Sequence, residues 1–251
     1  MSPPTMRDQA LLGAAGVSSL ELPTISDLYA HYDASDSTTI EFGSGAYVDK
    51  WINKEGTTDR DLIQATPDYQ PTRMGAQRNG LDTIQFNSND SMYTYSSTLS
   101  NLSEPFTIMC VAKQPSNDNK QHFLWSEYGG APTLEKNNTS NKYVFTYSAG
   151  VVWTSASAAV GNYVDFTCIG NDGSSSMRYN NTEVATGGAA DTFKWGAIGN
   201  HGGMRGSPGG GSVNSTTGWA SEICEIAIWE KQLSSSELTE VWEYTEEKWN
   251  L

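Results

Sequence analysis

Cysteine is scarce in this sequence, which has only Cys110, Cys168 and Cys224. Each lies within an apolar run typical of a β-strand, and none has the spacing of a zinc ligand. Three cysteines cannot all pair with one another, and lone cysteines usually pack as small hydrophobic side chains. We therefore expect buried, reduced thiols and a protein that matures in a reducing compartment.

Basic residues are also few. The sequence has fifteen Lys and Arg residues and twenty-nine Asp and Glu residues, which give a formal charge of −14. Binding of nucleic acid requires clustered Lys and Arg that displace counterions, and the sequence has no such cluster. The composition therefore argues against a nucleic-acid partner and predicts a solvated acidic surface.

Long hydrophobic runs are missing. The most apolar early stretch, residues 11–17, is too short to span a bilayer. Only Arg7 precedes it, beside Asp8, which makes a poor signal peptide. We expect neither membrane insertion nor export.

Catalytic and metal-binding motifs are absent as well. The three histidines, His31, His122 and His201, lie far apart and lack zinc spacing, and no Gly-x-Ser-x-Gly elbow occurs. The glycine-rich residues 199–211 are not followed by Gly-Lys-Ser/Thr, so they predict a surface loop rather than a phosphate site. On such a loop His201 and Arg205 could contact a glycan or another partner.

The C-terminal region carries the clearest structural signal. Residues 218–229 are rich in Ile and Trp, which is the composition of a half-buried strand. Ser234 and Glu237 have the spacing of a capping box at the start of a helix. On the helix that follows, one face is formed by Leu238, Val241, Trp242 and Trp249. The glutamates are expected to face solvent, with Lys248 in the last turn, where a cation favours the helix dipole.

Short strand-like segments fill most of the rest of the chain. Candidates include residues 28–32, 106–112, 122–126, 143–147 and 163–170, and the turn at Asn180 and Asn181 favours a hairpin. Many strands without intervening helices predict two packed antiparallel sheets formed by a single domain, residues 25–251.

Residues 1–24 lack this rhythm and are predicted to form an arm outside the core. A loose terminal tail is one interpretation, and a segment that docks on a neighbouring subunit is the other. The apolar residues available for docking are Leu11, Leu12, Val17, Leu20 and Leu22.

Two stretches carry a resemblance to a known family. The run L-Y-A-H-Y-D-A-S-D at residues 28–36, with V-D-K-W-I-N-K-E-G at 48–56 and N-G-L-D-T-I-Q-F at 79–86, resembles the first third of laminin-G-like (concanavalin A-like) jelly-roll domains. The ending from G-W at 218 to E-L at 237 is similar to the end of such domains. The resemblance covers residues 25–251. It implies an all-β, concanavalin A-like antiparallel β-sandwich with a short C-terminal helix and an extended N-terminal arm.

Glycosidases of this fold that are of the laminarinase type place Glu, Asp and Glu at alternate strand positions, so that the acids share one face. Here Glu222 and Glu225 are three residues apart, which in a regular strand sends them to opposite faces, and the middle acid is missing. We expect these two glutamates to be surface charges beside a core strand, and the protein not to be an enzyme.

Ligand-binding candidates follow partly from the resemblance. Many relatives bind a structural calcium, although no cofactor is required here. If the first strands pair, oxygen donors for calcium would come from Asp33, Asp36, Asn87, Asn89 and Asp90. Sugar recognition would use aromatic faces, for which the candidates are Trp125, Tyr128, Trp153 and Trp195, together with His201 and Arg205. Core packing is the alternative role for each tryptophan.

Jelly-roll domains of this kind are common in bacterial surface proteins and bacteriophage virions. The resemblance and the missing export signal lead us to expect a noncatalytic virion structural protein, a capsid decoration or tail-associated subunit. It would assemble in the host cytoplasm as a homo-oligomer and dock on other virion subunits through its arm. The alternatives are a carbohydrate-binding module or adhesin for cell-surface glycans and, less favoured, a glycan-cleaving enzyme.

Overall fold

The structure, a computed structural model, consists of antiparallel sheets and one C-terminal helix. It describes residues 20–87, 89–94, 101–102, 105–113, 122–126, 133–137, 142–147, 150–157, 161–171, 174–187, 193–194, 197–199 and 220–251. No helix in this part of the chain is long and apolar enough to cross a membrane.

The strands and the helix have the following bounds. The first ten strands are β1 Leu28–Asp33, β2 Ile40–Phe42, β3 Val48–Trp51, β4 Leu62–Ile63, β5 Thr72–Arg78, β6 Leu81–Gln85, β7 Ser91–Thr94, β8 Asn101–Leu102, β9 Phe106–Lys113 and β10 His122–Ser126. The others are β11 Thr133–Asn137, β12 Lys142–Tyr147, β13 Gly150–Ser157, β14 Tyr163–Gly170, β15 Ser175–Tyr179, β16 Thr182–Gly187, β17 Phe193–Lys194, β18 Ala197–Gly199 and β19 Glu222–Trp229, followed by helix α1, Ser235–Trp249. Short 3-10 turns lie at Ser37–Thr39, Thr58–Arg60 and Pro67–Tyr69.

Two large sheets form the body. The eight-stranded sheet has the order β16-β15-β14-β9-β19-β6-β5, with β1 also paired to β19. The nine-stranded sheet has the order β13-β12-β11-β10-β18-β7-β4-β3-β2, and β8 pairs with β17 in a small third sheet. Buried side chains from both large sheets share one core, and among them are Trp51, Ile84, Phe145 and Phe166. The expected jelly-roll sandwich is confirmed.

Strand β19 separates two hydrophobic clusters. Ile223, Ile226 and Ile228 belong to the core between the sheets, whereas Cys224 and Trp229 belong to a second cluster shared with α1. All eight residues of the strand are buried. The sequence predicts a half-buried strand, which is wrong because α1 covers the face that would otherwise meet water.

Helix α1 begins as predicted. Ser234 Oγ accepts a hydrogen bond from the Glu237 backbone N–H, and the Glu237 side chain accepts one from the Ser234 N–H at 2.8 Å, which completes a capping box. Of the predicted apolar face, Leu238, Val241 and Trp249 are buried, while Trp242 is only half-buried. Glutamates 240, 243, 246 and 247 face solvent as expected.

Two further local predictions are confirmed. Asn180 and Asn181 have φ angles of 45° and 56° and form the two-residue turn between β15 and β16. The three cysteines are free and buried, with Cys110 and Cys168 in the core between the sheets and Cys224 beneath α1. Burial raises the pKa of all three thiols.

The described part of the predicted arm adjoins the body. Leu22 packs against the cluster beneath α1, Leu20 is half-buried, and Ile25 is a core residue. Leu11, Leu12 and Val17 lie outside the described residues, so the docking arm and its boundary at residue 24 stay predictions.

Candidate functional site

A densely hydrogen-bonded polar group lies between β19 and α1. Glu225 is fully buried, and its Oε1 lies 2.7 Å from His31 Nε2 and accepts a hydrogen bond from the Tyr244 hydroxyl at 2.6 Å. Its Oε2 accepts a hydrogen bond from the Trp249 indole N–H at 2.7 Å. Burial alone would raise the pKa of Glu225, but the Lys248 charge and the hydrogen bonds hold it at about 2. The carboxylate is therefore ionised and fully engaged inside the protein.

A lysine supplies the counter-charge. Lys248 Nζ lies 2.8 Å from Asp33 Oδ2 and 3.1 Å from Glu225 Oε2, and its side chain is 5% exposed. Asp33, Glu225 and His31 are close enough together to hold a metal ion. The ammonium of Lys248 already contacts both carboxylates, and Lys54 Nζ lies 3.7 Å from Asp33 Oδ2, so the three side chains form a closed structural network rather than a metal centre.

The predicted calcium donors fall into two separate groups. Asp33 and Asp36 share Lys54, whose Nζ lies 3.7 and 3.1 Å from their Oδ2 atoms. The proximity of these aspartates to the 87–90 turn was conditional on pairing of the first strands. However, β1 pairs with β19, as does β6, and the two are not hydrogen-bonded neighbours in the described sheets.

The other predicted donors form a turn after β6. The Asn87 backbone and side-chain amides donate to Asp90 Oδ2 at 2.7 and 3.1 Å. Asn89 Oδ1 is buried and has no hydrogen-bond partner in the part of the chain that the structure describes. Burial raises the pKa of Asp90 to about 6 despite the hydrogen bonds from Asn87, which lower it. No Lys or Arg among the described residues pairs with the oxygen atoms of this turn, so Asn87, Asn89 and Asp90 remain the candidates for the calcium prediction.

Glu222 forms a second closed group on the same face of the eight-stranded sheet. It accepts hydrogen bonds from Lys113 Nζ at 2.6 Å, from the Tyr163 hydroxyl at 2.5 Å and from Thr83 Oγ1 at 2.9 Å. Burial would raise its pKa, but these three hydrogen bonds and the Lys113 charge lower it. Glu222 is 6% exposed.

The expectation that Glu222 and Glu225 are surface charges on opposite faces is therefore wrong. The pairing of β19 with β9 shifts register between Ile223 and Glu225, so an extra residue enters the strand there. This bulge turns Glu225 towards α1, on the face where Glu222 meets Tyr163, which itself packs on the cluster beneath the helix. Both acids are covered and held by internal donors.

Two aromatic side chains, in contrast to the buried glutamates, are exposed to solvent. Phe42 and Tyr47 are 45% and 48% exposed and are the large hydrophobic side chains that stand most exposed among the described residues. They flank the hairpin between β2 and β3, where the Gly43 N–H donates to the Tyr47 carbonyl at 3.1 Å. The hairpin is hydrogen-bonded to β5 of the eight-stranded sheet. Tyr47 pairs with Thr72, and the Arg73 N–H donates to the Ala46 carbonyl at 2.9 Å. The rings therefore stand where the edges of the two sheets meet.

A charged pair lies near the Phe42 ring. Arg73 contacts Asp82 Oδ2 at 2.6 Å, and its guanidinium lies 6.0 Å from the centre of the Phe42 ring. Asp82 Oδ1 accepts a hydrogen bond from the Ala76 N–H at 3.0 Å. Ala76 has a φ of 51°, an uncommon conformation for a residue with a Cβ, in an irregular stretch of the edge strand β5. We call Phe42, Tyr47, Arg73 and Asp82 the hairpin patch.

The structure describes only some of the predicted sugar-binding residues. Trp125 lies in β10 opposite Leu134 and Ile198, and Trp153 lies in β13 opposite Val144, all in the nine-stranded sheet. The side chains of these two tryptophans lie outside what the structure describes, as do Tyr128, Trp195, His201 and Arg205 altogether. The hairpin patch is missing from the sequence prediction. Its signal is the run Phe42-Gly43-Ser44-Gly45-Ala46-Tyr47, a tight glycine turn between two aromatic residues.

Comparison with known proteins supports the fold. No protein-family model matches the chain, and neither does any curated protein. Among solved structures, a sialidase from Trypanosoma rangeli in complex with sialic acid matches with a TM-score of 0.57 and 13% identity, over 90% of this chain and 34% of the sialidase. A proposed carbohydrate-binding protein from Bacteroides ovatus has a TM-score of 0.47 and 10% identity, over 59% of this chain and 43% of its own. A heptameric pentraxin from Limulus polyphemus has a TM-score of 0.42 and 11% identity, over 55% of this chain and 69% of the pentraxin.

These likenesses concern the fold alone. The two lower TM-scores are too small to support an argument, and the chain spans only about a third of the sialidase. The fold that the chain shares with part of that protein is the lectin-like sandwich described above.

Proposed function

We propose that this chain is a noncatalytic carbohydrate-binding protein with a lectin-like jelly-roll fold. The observation that carries the proposal is the hairpin patch, in which the exposed Phe42 and Tyr47 flank one hairpin and Arg73, paired with Asp82, lies 6.0 Å from the Phe42 ring. The chain covers only part of a sugar-processing neighbour, and the fold it shares with that neighbour is consistent with this function.

The chemistry of the patch suits a sugar. A pyranose ring presents an apolar face of C–H groups and a rim of hydroxyls, so it can cover an aromatic ring while its hydroxyls meet polar side chains. Aromatic rings provide large rigid contact area at low entropic cost, and an Arg–Asp pair offers both donors and acceptors. Exposed aromatic surface is otherwise unfavourable in water, and such surface commonly marks a binding site.

The proposal excludes hydrolysis by the two acids that the sequence singles out. A retaining glycosidase needs two carboxyl groups about 5 Å apart that face the scissile bond. Glu222 and Glu225 are each buried and each hydrogen-bonded to three or more internal groups. Neither has an oxygen free for a substrate.

A glycan array probed with the purified chain tests the function directly. We expect binding to at least one glycan class, weakened at least tenfold in a Phe42→Ala, Tyr47→Ala double variant. Prolonged incubation of the bound glycans should release no new reducing ends. An array without any binding, with and without added calcium, would contradict the function, and release of reducing ends would contradict its noncatalytic character.

A bacteriophage virion subunit stays a prediction from the sequence resemblance. In that role the chain would form a homo-oligomer and attach to neighbouring subunits through residues 1–24, and its sandwich could still carry the glycan-binding patch. Deletion of residues 1–19, which spares Leu22 and its packing against the cluster beneath α1, is the test. Loss of incorporation into particles, with an unchanged unfolding transition, supports docking, whereas normal incorporation contradicts it.

A further inference from the structure

We infer that the hairpin patch binds uncharged sugar units and discriminates against acidic glycans. This inference rests on the proposed function and adds the ligand class and the place where the ligand binds. Lys50 and Arg73, on the strands β3 and β5 that adjoin this hairpin, each already have an acidic partner within the protein.

The cation near the Phe42 ring is paired with an acid. Arg73 lies 2.6 Å from Asp82, and its side chain is only 15% exposed. A ligand carboxylate or sulfate would have to compete with Asp82 for the guanidinium, in a geometry that is already short and charge-assisted. Arg73 is therefore a donor of hydrogen bonds to neutral groups rather than a free anion site.

The second cation of this edge is paired as well. Lys50, in β3, contacts Glu41 of β2 at 3.1 Å on the strand pair that carries the aromatic hairpin. Glu41 thus pairs with Lys50, and Asp82 pairs with Arg73. These two pairs together carry no net positive charge. Neither of these two pairs offers an unpaired positive charge to an anionic sugar.

The molecule as a whole opposes an anionic ligand. Its formal charge of −14 creates a negative potential that repels acidic polysaccharides, whose many charges would add to the penalty. Salt screens this repulsion over a Debye length of about 8 Å at physiological ionic strength, so the discrimination should weaken as salt is added.

The polar groups of the patch are held in place before any ligand arrives. Asp82 accepts from Arg73 with one oxygen and from the Ala76 N–H with the other, so its carboxylate is fixed at both ends. Besides the Nη2 group that faces Asp82 and the buried Nε–H, the guanidinium has the N–H groups of Nη1. Fixed donors and acceptors beside flat rings favour a rigid neutral ligand with hydroxyls, because little side-chain entropy is lost on binding.

Calorimetry with two matched ligand sets tests the inference. The neutral set consists of hexasaccharides of glucose, xylose, mannose and N-acetylglucosamine, and the acidic set consists of oligogalacturonate, sialyllactose and a sulfated hexasaccharide. The variants are Phe42→Ala, Tyr47→Ala and Tyr47→Phe, with Glu243→Ala on the solvent face of α1 as the control. We expect a neutral ligand to bind, at least tenfold weaker binding in each alanine variant, and wild-type affinity in Tyr47→Phe and Glu243→Ala.

The possible failures can be told apart. An acidic ligand that binds more tightly than every neutral one and depends on Phe42 overturns this inference but not the proposed function. Neutral binding unchanged in both alanine variants also overturns it, because the site then lies elsewhere. A concentration-dependent dimer in the ultracentrifuge that the alanine variants abolish would assign the patch to self-association instead. If no glycan binds at all, the proposed function fails with it.

Discussion

Two buried carboxyl groups show how partners decide the behaviour of single residues. Glu225 has a lysine, a histidine and two hydroxyl or indole donors, and its pKa falls to about 2. Asp165 is also buried, but its partners are the hydroxyls of Thr245 and Thr167 at 2.8 and 3.0 Å. Burial therefore raises the pKa of Asp165 to about 6, since the hydroxyls and distant Arg178 compensate only in part.

The Asp165→Asn variant should be more stable than the wild type above pH 6. A folded pKa above the unfolded value of 3.8 means that Asp165 favours folding fully below pH 4 and loses this contribution as pH rises to 6. The shift corresponds to about 3 kcal/mol at neutral pH, which is the upper limit of the gain. Urea unfolding from pH 4 to 8 measures it, with exposed Asp68→Asn as the control. Equal stabilisation at pH 4 and pH 8 would contradict the assignment.

Glu225 and Lys248 should behave as one unit. Removing one charge leaves the other buried, so Glu225→Gln and Lys248→Met should each cost about 3–5 kcal/mol of unfolding free energy. The double variant should cost clearly less than the sum, while the exposed Glu41 and Lys50 pair should give less than about 1 kcal/mol in the same cycle. The Glu225 contribution is present above pH 4.5 and lost as pH falls towards 2. Additive costs in the buried pair would show that the network is not coupled.

Among the secondary-structure elements, helix α1 covers the outer face of strand β19. Leu238, Val241 and Trp249 cover Cys224 and Trp229 of β19, and the polar network fixes the helix at its last turn. The first turn is fixed by the capping box. The two ends are therefore held by different kinds of contact.

Ser234→Ala should destabilise the protein by about 1 kcal/mol, because the Glu237 backbone N–H loses the hydroxyl that accepts its hydrogen bond. For a chain of this size the melting temperature should fall by about 2–4 °C. Ser235→Ala is the matched control, since Ser235 is exposed and engages its neighbours through its backbone carbonyl. Equal effects of the two substitutions, measured by thermal unfolding, would contradict a specific role for the cap.

Local signals in the sequence predict elements, but they do not predict which residues the fold brings together. The capping box and the Asn180–Asn181 turn need only neighbours in sequence, and both were predictable. The burial of Glu225 depends on a bulge set by pairing with β9 and on Lys248, which reaches Asp33 across 215 residues. Exposure of Phe42 and Tyr47 could not be predicted either, because aromatic residues in strands usually pack inside.

For the whole molecule, the three cysteines probe both hydrophobic clusters, the core between the sheets and the cluster beneath α1. Cys110 and Cys168 lie between the sheets, whereas Cys224 lies beneath α1. In the folded protein none should react with a thiol reagent, since burial both blocks access and raises the thiol pKa values. Global unfolding in urea should release all three together. Early labelling of Cys224 alone would show that the helix detaches first, and labelling of Cys110 under native conditions would contradict the packed core.

The calcium prediction also belongs to the whole molecule, because bound calcium stabilises the folded state only. If residues 87–90 hold the ion, added calcium should raise the melting temperature of the wild type and of Asp36→Asn but not of Asp90→Asn. No change in the wild type at millimolar calcium would remove the prediction. A response lost in Asp36→Asn would move the site to the Lys54 group.

Amide hydrogen exchange with and without the best-binding neutral oligosaccharide locates the bound ligand without any substitution. We expect slower exchange in peptides covering residues 40–48 and 72–82, where the hairpin and the edge strand carry Phe42, Tyr47, Arg73 and Asp82. Exchange in α1, residues 235–249, should not change. Protection confined to other regions, with residues 40–48 unaffected, would contradict the claim that sugars bind at this edge of the sandwich.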